Sequence, residues 1–311
     1  MLIKYLTGTA RNLWCRQYNP KTISPSATRF GFTGIVGEQS QKGKLLSAGP
    51  MMEIMDSIGA AVGNRFTQGP IATVSFDRVD TVQPILHGDM VRVEGEVISV
   101  GNSSLSIQCS GYRLDRESGM YQQTHGGVMT MVAVNRLGQP RKGLPKLVDE
   151  KRPQYINHLR AIADKRRGLT AKWTKDQEAI DKQAFISQHD LQPVDQKAAY
   201  SSIKDAELEQ RNFFLPKSFN TNETVFGGNI LAWMDEAAVY CARNFTGNDR
   251  MISIGAHRVL FEQPITGADV VTLKARVCHV RRSRLDVELD VFIMPILNST
   301  IINLILATSR S

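Results

Sequence analysis

Two short stretches of the chain hold the residues whose types and spacing could do chemistry. In one, Phe226-Gly227-Gly228 leads into Ile230, Leu231, Met234, Ala238 and Cys241, at steps of one, three and four, a helical stripe. Glycines there let a ligand approach the main chain, and a helix start offers unpaired N–H groups and partial positive charge, which suits an oxyanion. The same glycines would equally allow tight packing under a sheet. Asp235 follows Gly228 by seven residues. The other stretch repeats this layout, with Gly49 followed by Met51, Met52, Met55, Gly59 and Val62, and with Asp56 seven residues after Gly49. Each Asp comes just after a stripe Met, so it falls at the edge of the stripe. Asp is a poor mid-helix residue; its recurrence at one place in both stretches asks for a reason beyond a solvated or hydrogen-bonded side chain.

A third group is Arg281, Arg282 and Arg284. Clustered guanidinium groups can grip phosphates bidentately, although a solvated hairpin turn would look the same. His257 and Arg258 are further candidates, but Arg78 and Arg258 also read as a matched structural pair. The four cysteines, Cys15, Cys109, Cys241 and Cys278, form no Cys-x-x-Cys pair, and the six histidines do not cluster with them. A disulfide scaffold or zinc site is therefore not expected.

These residues sit in a chain that repeats itself. Arg78-Val79, Gln83-Pro84-Ile85, Asp89 and Val91 recur 180 positions later as Arg258-Val259, Gln263-Pro264-Ile265, Asp269 and Val271. Upstream, Met55-Asp56 matches Met234-Asp235 at an offset of 179. A unit this long, present twice, is a duplicated domain and not a solenoid. Each copy predicts one long helix, then β-rich segments bounded by Gly, Pro and Asn: residues 71–80, 90–100, 104–114 and 127–135 in the first, and 251–261, 270–280, 285–293 and 301–307 in the second. The abrupt end at Ser309-Arg310-Ser311 predicts a shortened last strand. A helix buried by an antiparallel sheet is an α+β unit, and two such units can pair as identical subunits do. The expected domains are residues 29–138 and 209–311. Between them, residues 139–208 are rich in Lys, Arg, Asp and Gln and read as a charged linker with some helix near Arg152–Arg166.

Composition agrees with a globular chain. Of 311 residues 42% are hydrophobic and 22% charged, and no apolar run reaches the roughly 18 residues a transmembrane segment needs. The net charge of +8 gathers in the linker and at the N-terminus. No acidic residue precedes Glu38, while Lys4, Arg11, Arg16, Lys21 and Arg29 are basic, among Ser, Thr and apolar spacers. Residues 1–28 thus read as a mitochondrial transit peptide, addressed to the matrix, although a disordered basic tail would have the same composition.

The stretch from Thr224-Val225-Phe226-Gly227-Gly228 through Met234-Asp235 to Ala238 resembles the signature of hot-dog-fold acyl-CoA thioesterases. Gly49-Pro50 through Met55-Asp56 to Gly59 is similar to its first-domain form in the tandem mitochondrial members, the acyl-coenzyme A thioesterase 9-like group, and Glu209-Gln210-Arg211-Asn212-Phe213 to their second-domain lead-in. The resemblance covers about residues 43–135 and 209–292. It implies two hot-dog domains, each a long helix wrapped by antiparallel sheet, forming an intrachain pseudo-dimer. It also implies hydrolysis of fatty acyl-CoA to free acid and CoA, with no cofactor, since CoA belongs to the substrate. A helix Asp would be general base or nucleophile, and the N–H of Gly228 or Gly49 would polarise the thioester carbonyl. In that family the Asp of one domain meets a polar residue of the other, three residues before the glycine pair. Here that place is Thr224, with Asn222 two residues earlier, but Leu45 in the first half. The expected site therefore joins Asp56 to Asn222 and Thr224, while Asp235 faces a leucine-lined loop and is weaker or idle. Arg281, Arg282 and Arg284 would meet the phosphates of CoA, and pseudo-dimers of this kind often assemble further, so a homo-oligomer is expected.

Three rivals follow from the same residues. Hot-dog hydratases use a helix His, which neither predicted helix has. An acyl-CoA-binding or regulatory protein without catalysis fits the missing polar residue of one half. Nucleic-acid binding would fit the charge alone, but no aromatic RNA-binding motif is present, so none is expected.

Overall fold

The computed structural model describes residues 21–37, 43–135, 137–182, 202–294 and 300–310. The two predicted stripes form helices α1, Gly49–Thr67, and α3, Gly227–Thr246. Pro50 stands in the first turn of α1, where its missing N–H removes no helix bond. Each helix stops at a left-handed residue, Gln68 (φ 50°) or Gly247 (φ 60°). All ten stripe residues named above are buried. Fully covering a side chain such as Met52 or Leu231 stabilises the fold by about 1.5–3 kcal/mol.

Ten strands form one sheet. In the first half these are β2 (Phe30–Ile35), β3 (Ile71–Thr81), β4 (Met90–Val100), β5 (Ser104–Leu114) and β6 (Tyr121–Ala133). In the second half they are β8 (Glu207–Asn212), β9 (Met251–Leu260), β10 (Val270–Val280), β11 (Arg284–Met294) and β12 (Thr300–Arg310). The order is β2-β4-β5-β6-β3-β9-β12-β11-β10-β8, which reads the same from either end once the halves are matched. The halves join where β3 and β9 pair antiparallel, with Phe76 opposite Val259 and Val79 opposite Ala256. This is the α+β pseudo-dimer the repeat predicts.

Several expectations need correction. The edge strands β2 and β8, each with one sheet neighbour among the described residues, are not among the expected strands. Strand β6 starts six residues earlier than expected, through Tyr121 to Gly126. The last strand, β12, has 11 residues against the 13 of its counterpart β6, but pairs along its length with both β11 and β9. Residues 21–28, the tail of the expected transit peptide, belong to the fold. Thr22–Ile23 (β1) pairs with Lys146–Leu147 (β7), and buried Thr28 accepts the Val97 N–H at 3.0 Å through its Oγ1. Residues 1–20 lie outside the described residues.

The linker is partly structural. Its helix α2, Pro153–Asp181, is 29 residues long, well beyond Arg166. Leu159 and Ala163 bury against Ile98 and Val128, on the face of β4 opposite to Val97 and hence away from α1. Further along, Trp173 lies under the Arg258 guanidinium, 6.0 Å from ring centroid to Cζ, and Thr174 Oγ1 accepts from Arg258 Nη2 at 3.4 Å. The helix thus runs from the first half of the sheet to β9 in the second half. Arg78 instead pairs with Asp80, so the two arginines are not one matched structural feature.

Candidate active site

Helices α1 and α3 pack against one another in opposite directions, so the Asp of each meets the glycine start of the other. Asp56 is fully buried. Its Oδ2 accepts the main-chain N–H of Gly228 at 2.8 Å, and its Oδ1 accepts the Thr73 hydroxyl, from β3, at 2.8 Å. The helix-start N–H groups have no partner within their own helix; here one is taken by a carboxylate from the other half. Close approach and an available N–H therefore go together. A Cβ on Gly227 would fall 2.9 Å from Asp56 Oδ2, and one on Gly228 would fall 3.0 Å from Glu53 Cα.

Burial pushes the Asp56 carboxyl up from 3.8 to about 6, opposed by the hydrogen bonds from Thr73 and Gly228. A carboxylate with this value is ionised at neutral pH and still basic enough to take a proton from water. Cys109 lies close by, its Sγ 3.7 Å from the Met55 carbonyl. Burial, and then the charge of Asp56, drives its thiol far above the ordinary range, so it supplies no thiolate nucleophile.

The second half builds a related but incomplete arrangement. Asp235 is also buried, and a Cβ on Gly49 would fall 2.8 Å from its Oδ2. Ser253 holds the place on β9 that Thr73 holds on β3. Its hydroxyl meets Ser47 Oγ at 2.7 Å and accepts the Ala48 N–H at 2.9 Å. Burial raises the Asp235 carboxyl; Ser253, Ser47 and the Gly49 N–H lie near enough to oppose this. Its Oδ1 is nonetheless buried with no hydrogen-bond partner.

The expected residues are thus brought together in part. Asp56 with Gly228 and Asp235 with Gly49 do meet across the halves, inside the helix–helix interface and not at the edge of a stripe. Asn222 and Thr224 do not hydrogen-bond Asp56. Asn222 Nδ2 reaches over to the Ile71 carbonyl at 2.9 Å, two residues before Thr73. Thr224 Oγ1 bonds within its own loop to Asn220, whose Oδ1 also takes the Asn222 N–H at 2.8 Å. Leu45 does not line the Asp235 pocket in the expected way; it pairs with Leu86, and Ser47 supplies the polar group. Thr73 and Ser253 were not among the predicted residues. The signal for them was present, since they stand 180 positions apart and both carry hydroxyls.

Arg281, Arg282 and Arg284 are exposed at the β10–β11 turn, which closes through the Arg281 N–H to the Arg284 carbonyl at 2.8 Å. Arg281 is paired with Asp286 at 3.1 Å. His257 is exposed. Among the described residues no cluster of three His, Cys, Asp or Glu could hold a metal ion, and no helix is long and apolar enough to cross a membrane.

Comparison with known proteins matches the duplication. The sequence model of the thioesterase superfamily fits residues 43–120 and again residues 222–295, each match containing one helix Asp. An uncharacterized acyl-CoA thioester hydrolase of Buchnera aphidicola is 30% identical over 100 residues, which is 31% of this chain and 74% of that protein. A Lactobacillus plantarum structure described as an oleoyl thioesterase superposes with a TM-score of 0.53, covering 91% of this chain and 96% of its own, at 8% identity, a likeness of fold. A Staphylococcus aureus acyl-CoA hydrolase solved with butyryl-CoA and CoA covers 52% of this chain and 99% of its own, at 20% identity and a TM-score of 0.46. The chain belongs to the acyl-CoA thioester hydrolases of the thioesterase superfamily.

Proposed function

We propose that the chain hydrolyses fatty acyl-CoA, with Asp56 as general base and the Gly228 N–H as the donor to the carbonyl oxygen. The observation that supports this is the buried Asp56 carboxylate held between Thr73 and Gly228. In the resting site the Gly228 N–H is occupied by Asp56. An arriving thioester carbonyl would take that N–H, and Oδ2 would lose a hydrogen bond that lowers its pKa. Substrate binding thereby makes the base stronger just where a water must be deprotonated. Water oxygen attacks the carbonyl carbon while Asp56 takes its proton. The oxyanion of the tetrahedral intermediate rests on the Gly228 N–H. The C–S bond then breaks, and the CoA thiolate recovers the proton from Asp56, leaving free acid and CoA. Asn222 ties the α3 loop to β3 through the Ile71 carbonyl, and Thr224 closes that loop on Asn220.

Thiol release from an acyl-CoA tests this. Asp56→Asn should lower kcat by about 10²–10⁴, the range for loss of a positioned general base. Retention of kcat within threefold would leave an acyl-CoA-binding protein as the better account.

We also infer mitochondrial delivery, as in the tandem members the sequence resembles. The support is the acid-free, basic stretch through residue 20. Residues 1–20 fused to a reporter should carry it into isolated mitochondria, out of reach of added protease; a reporter left outside overturns this. Self-association is inferred from the two sheet edges, β2 and β8, that have no outer neighbour among the described residues, with Phe30 and Ile35 exposed on β2. Light scattering should give a mass above the 34.6 kDa of one chain.

A further inference from the structure

We propose that the linker helix and the sheet enclose a binding site for a fatty acid, an aliphatic chain ending in a carboxylate, separate from the site at Asp56. A cavity of about 600 Å³ lies between α2, the end of β4 and residues 143–148. It is on the face of the sheet that α2 covers, away from α1. Ile98 and Ile156 are buried in its wall, and Val100, Leu144 and Leu147 extend the apolar lining. All its apolar side chains are aliphatic. Among the described residues no aromatic ring lines it, so it offers no stacking platform to a nucleobase or another planar ring.

The charges fit the other end of such a ligand. On α2 the lining residues are Ile156, Arg160, Asp164 and Arg167, at steps of four, four and three, one face of the helix. That face changes from apolar to charged within about 6 Å, one helical turn. Arg167 is paired with Asp164. Arg160 and Lys146, which also lines the cavity, have no acidic partner among the described residues. Three cations against one carboxylate leave the wall positive. A ligand carboxylate at Arg160 or Lys146 would make a charge-assisted hydrogen bond, while its chain covers the aliphatic side chains.

The duplication sets this cavity apart from the hydrolytic site. Both α2 and residues 143–148 lie outside the two stretches that match the thioesterase model. Gly101 and Asn102, in the turn between β4 and β5, line the cavity; the counterpart turn 180 positions on, residues 281–284, is exposed along its length. The linker thus adds to one half of the duplicated pair a cavity on the face opposite to the paired carboxylates. The choice of a fatty acid rests on the hydrolase reading above, which releases one. The cavity then takes the product on the other side of the sheet from the site that forms it.

The test uses the full chain without substrate. Calorimetry would measure Kd for decanoate and for decanol, which keeps the chain and lacks the carboxylate. Decanoate should bind about tenfold or more tightly than decanol, the worth of one charge-assisted hydrogen bond. A Lys146→Gln/Arg160→Gln double variant should erase that preference. Asn102→Glu, which adds a carboxylate to the wall, should weaken decanoate in the same sense. Asp164→Asn frees Arg167 and should tighten decanoate about threefold, the scale of one exposed ion pair. All four side chains are exposed, so these variants delete no core packing. Decanoate bound as product at Asp56 alone would keep its Kd in all three variants and overturn the proposal, as would equal affinity for the acid and the alcohol. Binding is read apart from turnover, so the two readings fail separately. If decanoate follows these variants while Asp56→Asn retains thiol release, the cavity stands and the role of Asp56 falls. Loss of thiol release in Asp56→Asn, with decanoate indifferent to the variants, does the reverse.

Discussion

The Asp56 carboxylate and the Gly228 N–H, 172 residues apart in the chain, meet at 2.8 Å. The contact is built from both halves, so neither half alone can form it. It satisfies a buried carboxylate and a helix-start donor at once.

Asp56 and Asp235 should respond differently to the same change. Asp56 has a partner for each oxygen, whereas Asp235 Oδ1 has none. Asp235→Asn removes a buried, incompletely paired charge and should raise stability by about 1 kcal/mol while keeping thiol release within about fivefold of the unaltered chain. Asp56→Asn should remove most of the activity. Thermal midpoints and kcat for both variants check this; equal losses of kcat would sink the asymmetry.

That asymmetry was half legible in the sequence. The repeat at Arg78 and Arg258, the Met stripes and the recurring Asp gave the halves, the helices and the paired carboxylates, because period and duplication are local signals. The reason for the difference was not legible. Leu45 marked a missing polar group by its place in the chain, but Ser47 fills that role in space. Asn222 looked like a partner for Asp56 and instead ties its loop to the Ile71 carbonyl. Thr73 is one of many β-branched residues in a strand, and only the packing of α1 on β3 picks it out. The docking of α2 through Leu159 and Trp173 could not be read from a charged segment whose apolar residues are few.

Activity and stability should move in opposite directions with pH. The buried Asp56 carboxyl is raised from 3.8 to about 6, so the folded chain holds this proton more tightly than the unfolded one. Its contribution to stability is fully present below about pH 4 and is lost as pH rises to about 6, roughly 3 kcal/mol over the interval. With Asp56 as the proposed general base the active form is the ionised one, so kcat/KM should rise through about pH 6 with the slope of a single group. Denaturant titrations from pH 4 to 7 should show a smaller change in Asp56→Asn than in the unaltered chain; identical changes would show that Asp56 is not the source.

Gly227→Ala places a Cβ 2.9 Å from Asp56 Oδ2, and Gly49→Ala places one 2.8 Å from Asp235 Oδ2. Both should cost about 1–3 kcal/mol of stability from overpacking. Only Gly227→Ala displaces the proposed base, so only it should also lower kcat, by at least tenfold. A loss of kcat in Gly49→Ala as large as that in Gly227→Ala would contradict the assignment of the working site.

Thr73 tests the environment of the base without touching the base. Its hydroxyl donates to Asp56 Oδ1 at 2.8 Å, and this bond holds the carboxyl down against the effect of burial. Thr73→Val keeps the shape and removes the donor. The folded-state pKa of Asp56 should then rise above about 6, which moves the acidic limb of the kcat/KM profile to higher pH and lowers the rate at neutral pH. The rate at a pH well above the new value should recover much of the loss, because the carboxylate can still be formed. Thr73→Ser retains the donor and should keep the limb in place. A merely structural role for Thr73 would lower the rate at every pH and leave the limb where it was, so the position of that limb, and not the size of the loss, decides the matter.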